Sequence, residues 1–244
     1  MNGLCPVPIR LIDTDLADPY YVTAFDEAIA IARAEGKVPD TIHFYRRNPP
    51  GISVGYFKKI ADDINLEECK KAGVRVVRRA SGGGTIFTDK GCLIYSIARK
   101  DGGAPEQPEE TFKKVCGAIV RALAQFGIAA EYKPPNDVLI GGAKISGSAQ
   151  MRKGGTALIH GTVILDTDVG LMRRVLNGTK EITTVRGKCG FVPEIGKLKL
   201  ALAEEFAGIF GENAEQGAPT EYELALTRKL AAERYGNDEW NFMR

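Results

Sequence analysis

Apolar residues along this chain recur in two rhythms, one of three and four positions and one of two. Ala24, Phe25, Ala28, Ile29 and Ala32 fall on one side of a helix over residues 23–35, which Gly36 stops. Phe112, Val115, Cys116, Ile119, Leu123 and Phe126 form one face of a clearly amphipathic helix, with Gly127 past its end. Asn65 with Glu68 resembles a capping box opening a short helix that ends at Gly73, and further helices are expected over 168–176, 197–210 and 220–235. The two-residue rhythm predicts strands at 9–13, 41–46, 52–57, 74–79, 85–87, 93–98, 129–132, 138–140, 143–149 and 156–165, the last rich in β-branched residues. Asn48-Pro49-Pro50-Gly51 reads as the turn of a hairpin joining 41–46 to 52–57. Hairpin-joined strands interleaved with covering helices predict an α+β fold, with a mixed β-sheet rather than a doubly wound parallel one.

Composition narrows the classes that remain. A hydrophobic fraction of 44% in 244 residues suits one globular unit with a substantial core. Lys and Arg total 33 against 31 Asp and Glu, a net charge of +2, which makes no electrostatic case for nucleic acid or an anionic membrane. No apolar run approaches the roughly 20 residues that span a bilayer. Residues 1–10 hold two prolines and no apolar stretch of signal-peptide type, so the cytoplasm is the expected location. The five cysteines show no Cys-x-x-Cys pair, which argues against a zinc site or a disulfide framework. The two histidines, His43 and His160, are too few for a multi-histidine metal centre.

The most conspicuous polar feature is Arg78-Arg79-Ala80-Ser81-Gly82-Gly83-Gly84-Thr85, set between the apolar residues of 74–77 and 86–87. It fits no Walker A pattern, and Phe87 takes the third glycine position of a dinucleotide fingerprint. A glycine turn between strands is either a flexible hairpin loop or a concave nest of N–H groups for a phosphate or a base edge. Asn136-Asp137, after two prolines, either carries magnesium for nucleotide phosphates or makes an Asx-type turn. Lys144 lies among small residues that leave room for a ligand near its ammonium, although a strand lysine is also commonly just solvated. His160 suits a core, a hydrogen-bonded or a site position.

Taken in order, Phe44-Tyr45-Arg46, Ser53-Val54-Gly55-Tyr56-Phe57, the arginine–glycine segment, Asn136-Asp137, Lys144-Ile145-Ser146-Gly147-Ser148-Ala149-Gln150, His160-Gly161-Thr162 and Asp238-Glu239-Trp240-Asn241 resemble the lipoate-protein ligase A family over about residues 9–242. The resemblance implies a single catalytic domain over 1–244, with a mixed, largely antiparallel β-sheet flanked by helices, as shared by lipoate ligases, biotin ligases and octanoyltransferases. It implies that lipoate and ATP, with Mg2+, give lipoyl-AMP and pyrophosphate, after which a lysine of a lipoyl domain takes the acyl group. Acceptors would be the E2 component of 2-oxoacid dehydrogenases or the glycine cleavage H protein. Carried over by position, Lys144 is the catalytic residue and Asp137 the metal-side carboxylate, while Arg79, Ser81, Gly82, Gly83, Gly84, Thr85, Ile86, Phe87, Asn136, Ser146 and His160 bind substrate or nucleotide. The C-terminal accessory domain of many bacterial ligases has no counterpart here, so a separate accessory subunit is expected, as in archaeal-type ligases.

Related octanoyl- and lipoyltransferases use a cysteine to form an acyl-enzyme, placed in those most similar to this chain just before the strand that leads to the lysine. Here that segment, Tyr132-Lys133-Pro134-Pro135-Asn136-Asp137, has none; Cys116 lies on the apolar face of a helix, which leaves the distant Cys189 as the thiol to test by Cys189→Ser. The resemblance therefore favours ligation, with a cysteine transferase or a catalytically silent lipoyl-binding homologue as alternatives. Two positions depart from the family pattern: Thr88 stands where histidine is usual, and Lys58 where glutamine is common.

Overall fold

The computed structural model describes residues 8–101, 107–178 and 182–244. In chain order the strands are β1 (Ile9–Ala17), β2 (Thr41–Arg47), β3 (Gly51–Val54), β4 (Arg75–Arg78), β5 (Ile86–Thr88), β6 (Cys92–Lys100), β7 (Glu131–Lys133), β8 (Asp137–Ile140), β9 (Ala143–Lys153), β10 (Thr156–Ile164) and β11 (Ala214–Gln216). The helices are α1 (Pro19–Ala34), α2 (Ile60–Asp63), α3 (Leu66–Lys71), α4 (Pro108–Ala124), α5 (Val169–Val175), α6 (Val185–Cys189), α7 (Ile195–Ile209), α8 (Glu221–Leu230) and α9 (Asp238–Asn241), with a π-helical turn, Ala231–Tyr235, continuing α8.

An eight-stranded sheet runs in the order β11-β1-β2-β6-β10-β9-β8-β7. β1 is parallel to both its neighbours and the remaining pairings are antiparallel. Its central strands are buried on both faces. Leu93, Tyr95 and Ile97 of β6 point to α4 and α7, where Val115, Ile119, Leu202 and Phe206 complete the main core. The alternate residues face α1, where Ala98 and Leu158 pack against Phe25 and Ile29. A second sheet, β4-β3-β5, has its own core of Ile52, Val54, Val76, Phe87 and Met172.

α1 begins four residues before the apolar periodicity does, because Asp18 caps it and Pro19 occupies its first turn. The hairpin expected from 41–46 and 52–57 does not form. β2 spends both edges inside the large sheet, on β1 and β6, while β3 crosses to the small sheet and lies between β4 and β5. All four residues of β3 are buried, so the strand must be paired along both edges, and one edge strand could not supply that. β11 was not expected; three residues give too short a pattern to read.

The small sheet is tied to the distant end of the chain. Arg78, fully buried, gives its backbone N–H to Asn241 Oδ1 at 2.9 Å and its Nε to the Asn241 carbonyl, while Trp240 Nε1 donates to the Arg78 carbonyl at 2.8 Å. Its Nη1 also serves the carbonyls of Gly55, Tyr56 and Lys58. The first of the paired arginines is thus a structural clamp. Among the described residues no helix is long and apolar enough to cross a membrane.

Candidate active site

A cavity of about 370 Å3 lies between the α1 face of the large sheet and the small sheet, with the glycine loop along its rim. Lys144 reaches it through an irregularity. Strict alternation along β9 would put Lys144 with Ser146 and Ser148, on the face opposite Gly147. A register shift opposite Val138 and Leu139 places one extra residue in β9 and re-aims the lysine. A Cβ on Gly147 would meet Lys144 Nζ at 2.7 Å, so the missing side chain is the space the lysine occupies. Nζ then pairs with Asp137 Oδ1 at 2.6 Å, both side chains remaining partly solvated. Asn136, on the rim, is fastened to Ser148 of β9 through both its backbone and its side chain.

Arg79 organises the loop. Its Nε donates to Ser81 Oγ at 3.1 Å, Nη1 to the Ser53 carbonyl at 3.0 Å, and Nη2 to the carbonyls of Gly82 and Gly84, each at 2.7 Å. Burial, and then the charge of Arg47, push its pKa down to about 10, so it remains a cation. Gly83 has φ +95°, and a Cβ there would sit 2.9 Å from Arg79 Nη2, so glycine is required twice over. With the loop carbonyls turned to the guanidinium, the N–H groups of Gly82, Gly83 and Gly84 have no partner within the described residues. The nest expected from sequence is therefore open to an acceptor, and Arg79 builds it from behind.

Ser81 Oγ, accepting from Arg79, stands 2.6 Å from His160 Nε2. The direction of that hydrogen bond follows the His160 tautomer, since the hydroxyl can accept a second bond as well as donate one. Desolvation, and then the positive field of Arg79, bring the His160 pKa down to about 4, so the ring is neutral at physiological pH. Gly161 beside it is a second close approach. A Cβ there would meet Tyr95 Oη at 2.4 Å and the Gly147 carbonyl at 2.7 Å. Gly161→Ala is expected to lower the unfolding free energy by about 1–3 kcal/mol, read from the urea midpoint at unchanged m-value.

Of the residues predicted from sequence, Arg79, Ser81, Gly83, Gly84, Thr85, Ile86, Phe87, Asn136, Lys144 and His160 line the cavity. Gly82 faces Phe57, and Asp137 reaches the cavity through Lys144. Ser146 is fully buried, on the strand face opposite Gly147, and does not line it. Sequence reasoning missed the inner wall: Thr23, Asp26, Tyr45 and Arg47. Asp26 accepts from Tyr45 Oη at 2.8 Å and from Ser96 Oγ, with His43 Nδ1 also at 2.8 Å. Burial alone would raise its pKa; hydrogen bonding and charge from His43, with the Ser96 hydroxyl, outweigh it and hold the carboxyl below its ordinary value. The available signal was the alternation of His43, Tyr45 and Arg47 on one face of β2.

Among the described residues no cysteine lines the cavity. Cys116 Sγ lies 3.8 Å from the hydroxyl of Ser148, which lines the cavity, but burial pushes the thiol up to about 11. Nor do three or more His, Cys, Asp or Glu side chains converge on a metal-sized site among the described residues. A magnesium ion needs few protein ligands when phosphates supply the rest, and the second oxygen of Asp137 is compatible with that.

Fold and site together define an α+β domain whose sheet-backed cavity presents a lysine, a neutral histidine and an arginine-braced glycine loop. The lipoyl protein ligase A/B catalytic domain profile matches residues 18–207, and the chain belongs to that family of lipoyl-attaching ligases and transferases. It is 32% identical to octanoyltransferase LipM of Brevibacillus brevis, over 96% of this chain and 99% of the relative. Its fold matches the bi-partite lipoate protein ligase of Thermoplasma acidophilum, solved in a study with its E2 lipoyl domain, at TM-score 0.85 and 26% identity, over 97% of this chain and 96% of the other. A lipoate-protein ligase A bound with ATP matches at TM-score 0.86 and 26% identity, over 97% and 99%.

Proposed function

We propose that this chain activates lipoate with ATP and passes the lipoyl group to a lysine of lipoyl-domain proteins. The observation that carries the reading is a cavity lined by Lys144, a neutral His160 and the glycine nest, with no thiol on its wall among the described residues. A carboxylate oxygen of lipoate attacks the α-phosphorus and pyrophosphate leaves; the acceptor amine then attacks the acyl carbonyl and AMP leaves. No protein nucleophile is required, and the work is positioning and charge neutralisation. Lys144 Nζ neutralises the carboxylate and then the phosphate, while the free N–H groups of Gly83 and Gly84 donate to phosphoryl oxygens. Asp137, together with the nucleotide phosphates, would hold a magnesium ion, which would supply positive charge to the departing pyrophosphate. The lipoyl domain of the Thermoplasma system is the model acceptor, and the bi-partite nature of that ligase is the reason to test for a partner protein.

A second reading is favoured by the relatives' names, which speak for octanoyl transfer more than for ligation. An octanoyl group would then pass from a carrier thioester to an enzyme thiol, releasing the carrier thiol, and on to the acceptor lysine as an amide, releasing the enzyme thiol. Cys116, one hydroxyl behind the wall at Ser148, is the thiol positioned for it.

Lipoate-dependent exchange of pyrophosphate into ATP, run with and without a candidate accessory protein, separates the two. Exchange in either condition is the expected result. If there is none, and octanoyl moves from acyl carrier protein to a lipoyl domain without ATP and fails in Cys116→Ser, the second reading replaces the first.

A further inference from the structure

We infer that Arg47 reads the far end of the acyl chain, favouring the sulfur-bearing terminus of a lipoyl group over the methyl terminus of an octanoyl group. The inference deepens the acyl-site reading above and rests on it.

Arg47 is two residues beyond Tyr45 on β2, so both face the cavity, and both line it. In the order β2-β6-β10-β9, three strand spacings, about 14 Å, separate it from Lys144. An acyl chain with its carboxyl end at Lys144 runs across the sheet toward Arg47.

Arg47 is 3% exposed and, among the described residues, has no carboxylate at ion-pair distance. Its partners are neutral hydroxyls: Nη1 donates to Thr88 Oγ1 at 3.2 Å and Nη2 to Thr23 Oγ1 at 2.9 Å. Nε is buried with no partner at all. Asp26 on the same wall is taken by the Tyr45 hydroxyl, which itself lies within hydrogen-bonding reach of Arg47. Thr88, at the position where the family resemblance leads one to expect histidine, is thus the acceptor that orients the guanidinium.

A buried charge with N–H capacity to spare is costly unless a ligand answers it. A methyl terminus completes its desolvation and gives nothing back. Dithiolane sulfurs accept N–H hydrogen bonds weakly and present a polarisable surface to the guanidinium plane. Sites with buried donors discriminate against analogues lacking the acceptor, because those donors stay unmet.

The test is calorimetric titration of the intact chain with lipoic and octanoic acids, for the native chain, Arg47→Met and Arg47→Lys. The native chain is expected to bind lipoic acid about tenfold more tightly, a ratio that falls to about twofold or less in Arg47→Met and to an intermediate value in Arg47→Lys. Equal binding by the native chain, or a ratio unchanged in whichever variant folds, overturns the inference alone. Failure of both acids to bind the native chain overturns the acyl-site reading with it.

Discussion

Lys144→Ala is expected to lose about 100- to 1,000-fold in the rate of acceptor lipoylation, mostly in kcat, because under the proposed ligase reading its ammonium acts where charge develops on the reacting carboxylate and phosphate. Folding is little affected. The Lys144–Asp137 pair is partly solvated, and such pairs contribute roughly 0–1 kcal/mol. Single-turnover lipoylation of a lipoyl domain, with thermal unfolding as the control, checks both halves. A variant that retains native kcat would remove Lys144 from the chemistry. Arginine is not a substitute, since the passage under Gly147 already brings Nζ within 2.7 Å of where a single carbon would sit.

Asp26→Ala strikes the opposite property, stability with the cavity wall as collateral. The carboxylate is the shared acceptor of Tyr45, Ser96 and His43, and all three are buried. Leaving them without it costs about 3–5 kcal/mol in unfolding free energy. The same group predicts an acid limb. Its carboxyl titrates below its ordinary value in the folded chain, so its contribution is present above the unfolded carboxylate range near pH 4 and is lost as pH falls through the lower folded value. Urea midpoints taken from pH 7 down to pH 3 should fall less steeply for Asp26→Ala than for the native chain. Parallel slopes would show that Asp26 is not an important acid-sensing group of the fold.

Much of this site was legible before any coordinates. The glycine run, Lys144 and His160 each had more than one reading as a local pattern, and their order along the chain suggested a shared site; the structure brings them to one cavity. What stayed hidden was hidden for physical reasons. Arg78 and Arg79 are identical in type and adjacent in sequence, and strand alternation sends one to the C-terminal segment and the other under the loop. Ser146 and Gly147 likewise fall on opposite faces, which a motif read as a string cannot show. The hairpin reading of 41–57 failed because local turn chemistry says where a chain bends, not which sheet it enters afterwards. Asp26 and Arg47 were missed because a buried carboxylate and a buried guanidinium look, in sequence, like any charged residue next to an apolar stretch.

The contact between Arg78 and Asn241, 163 residues apart in sequence, has a bearing on how the enzyme is made. A chain emerging from the ribosome exposes β3, β4 and the glycine loop long before it exposes Trp240 and Asn241. Until those two residues are free, the buried N–H and carbonyl of Arg78 have no partners, and the roof of the cavity has no fastening on that side. Completion of this side of the cavity is therefore expected to wait until Trp240 and Asn241 have been made.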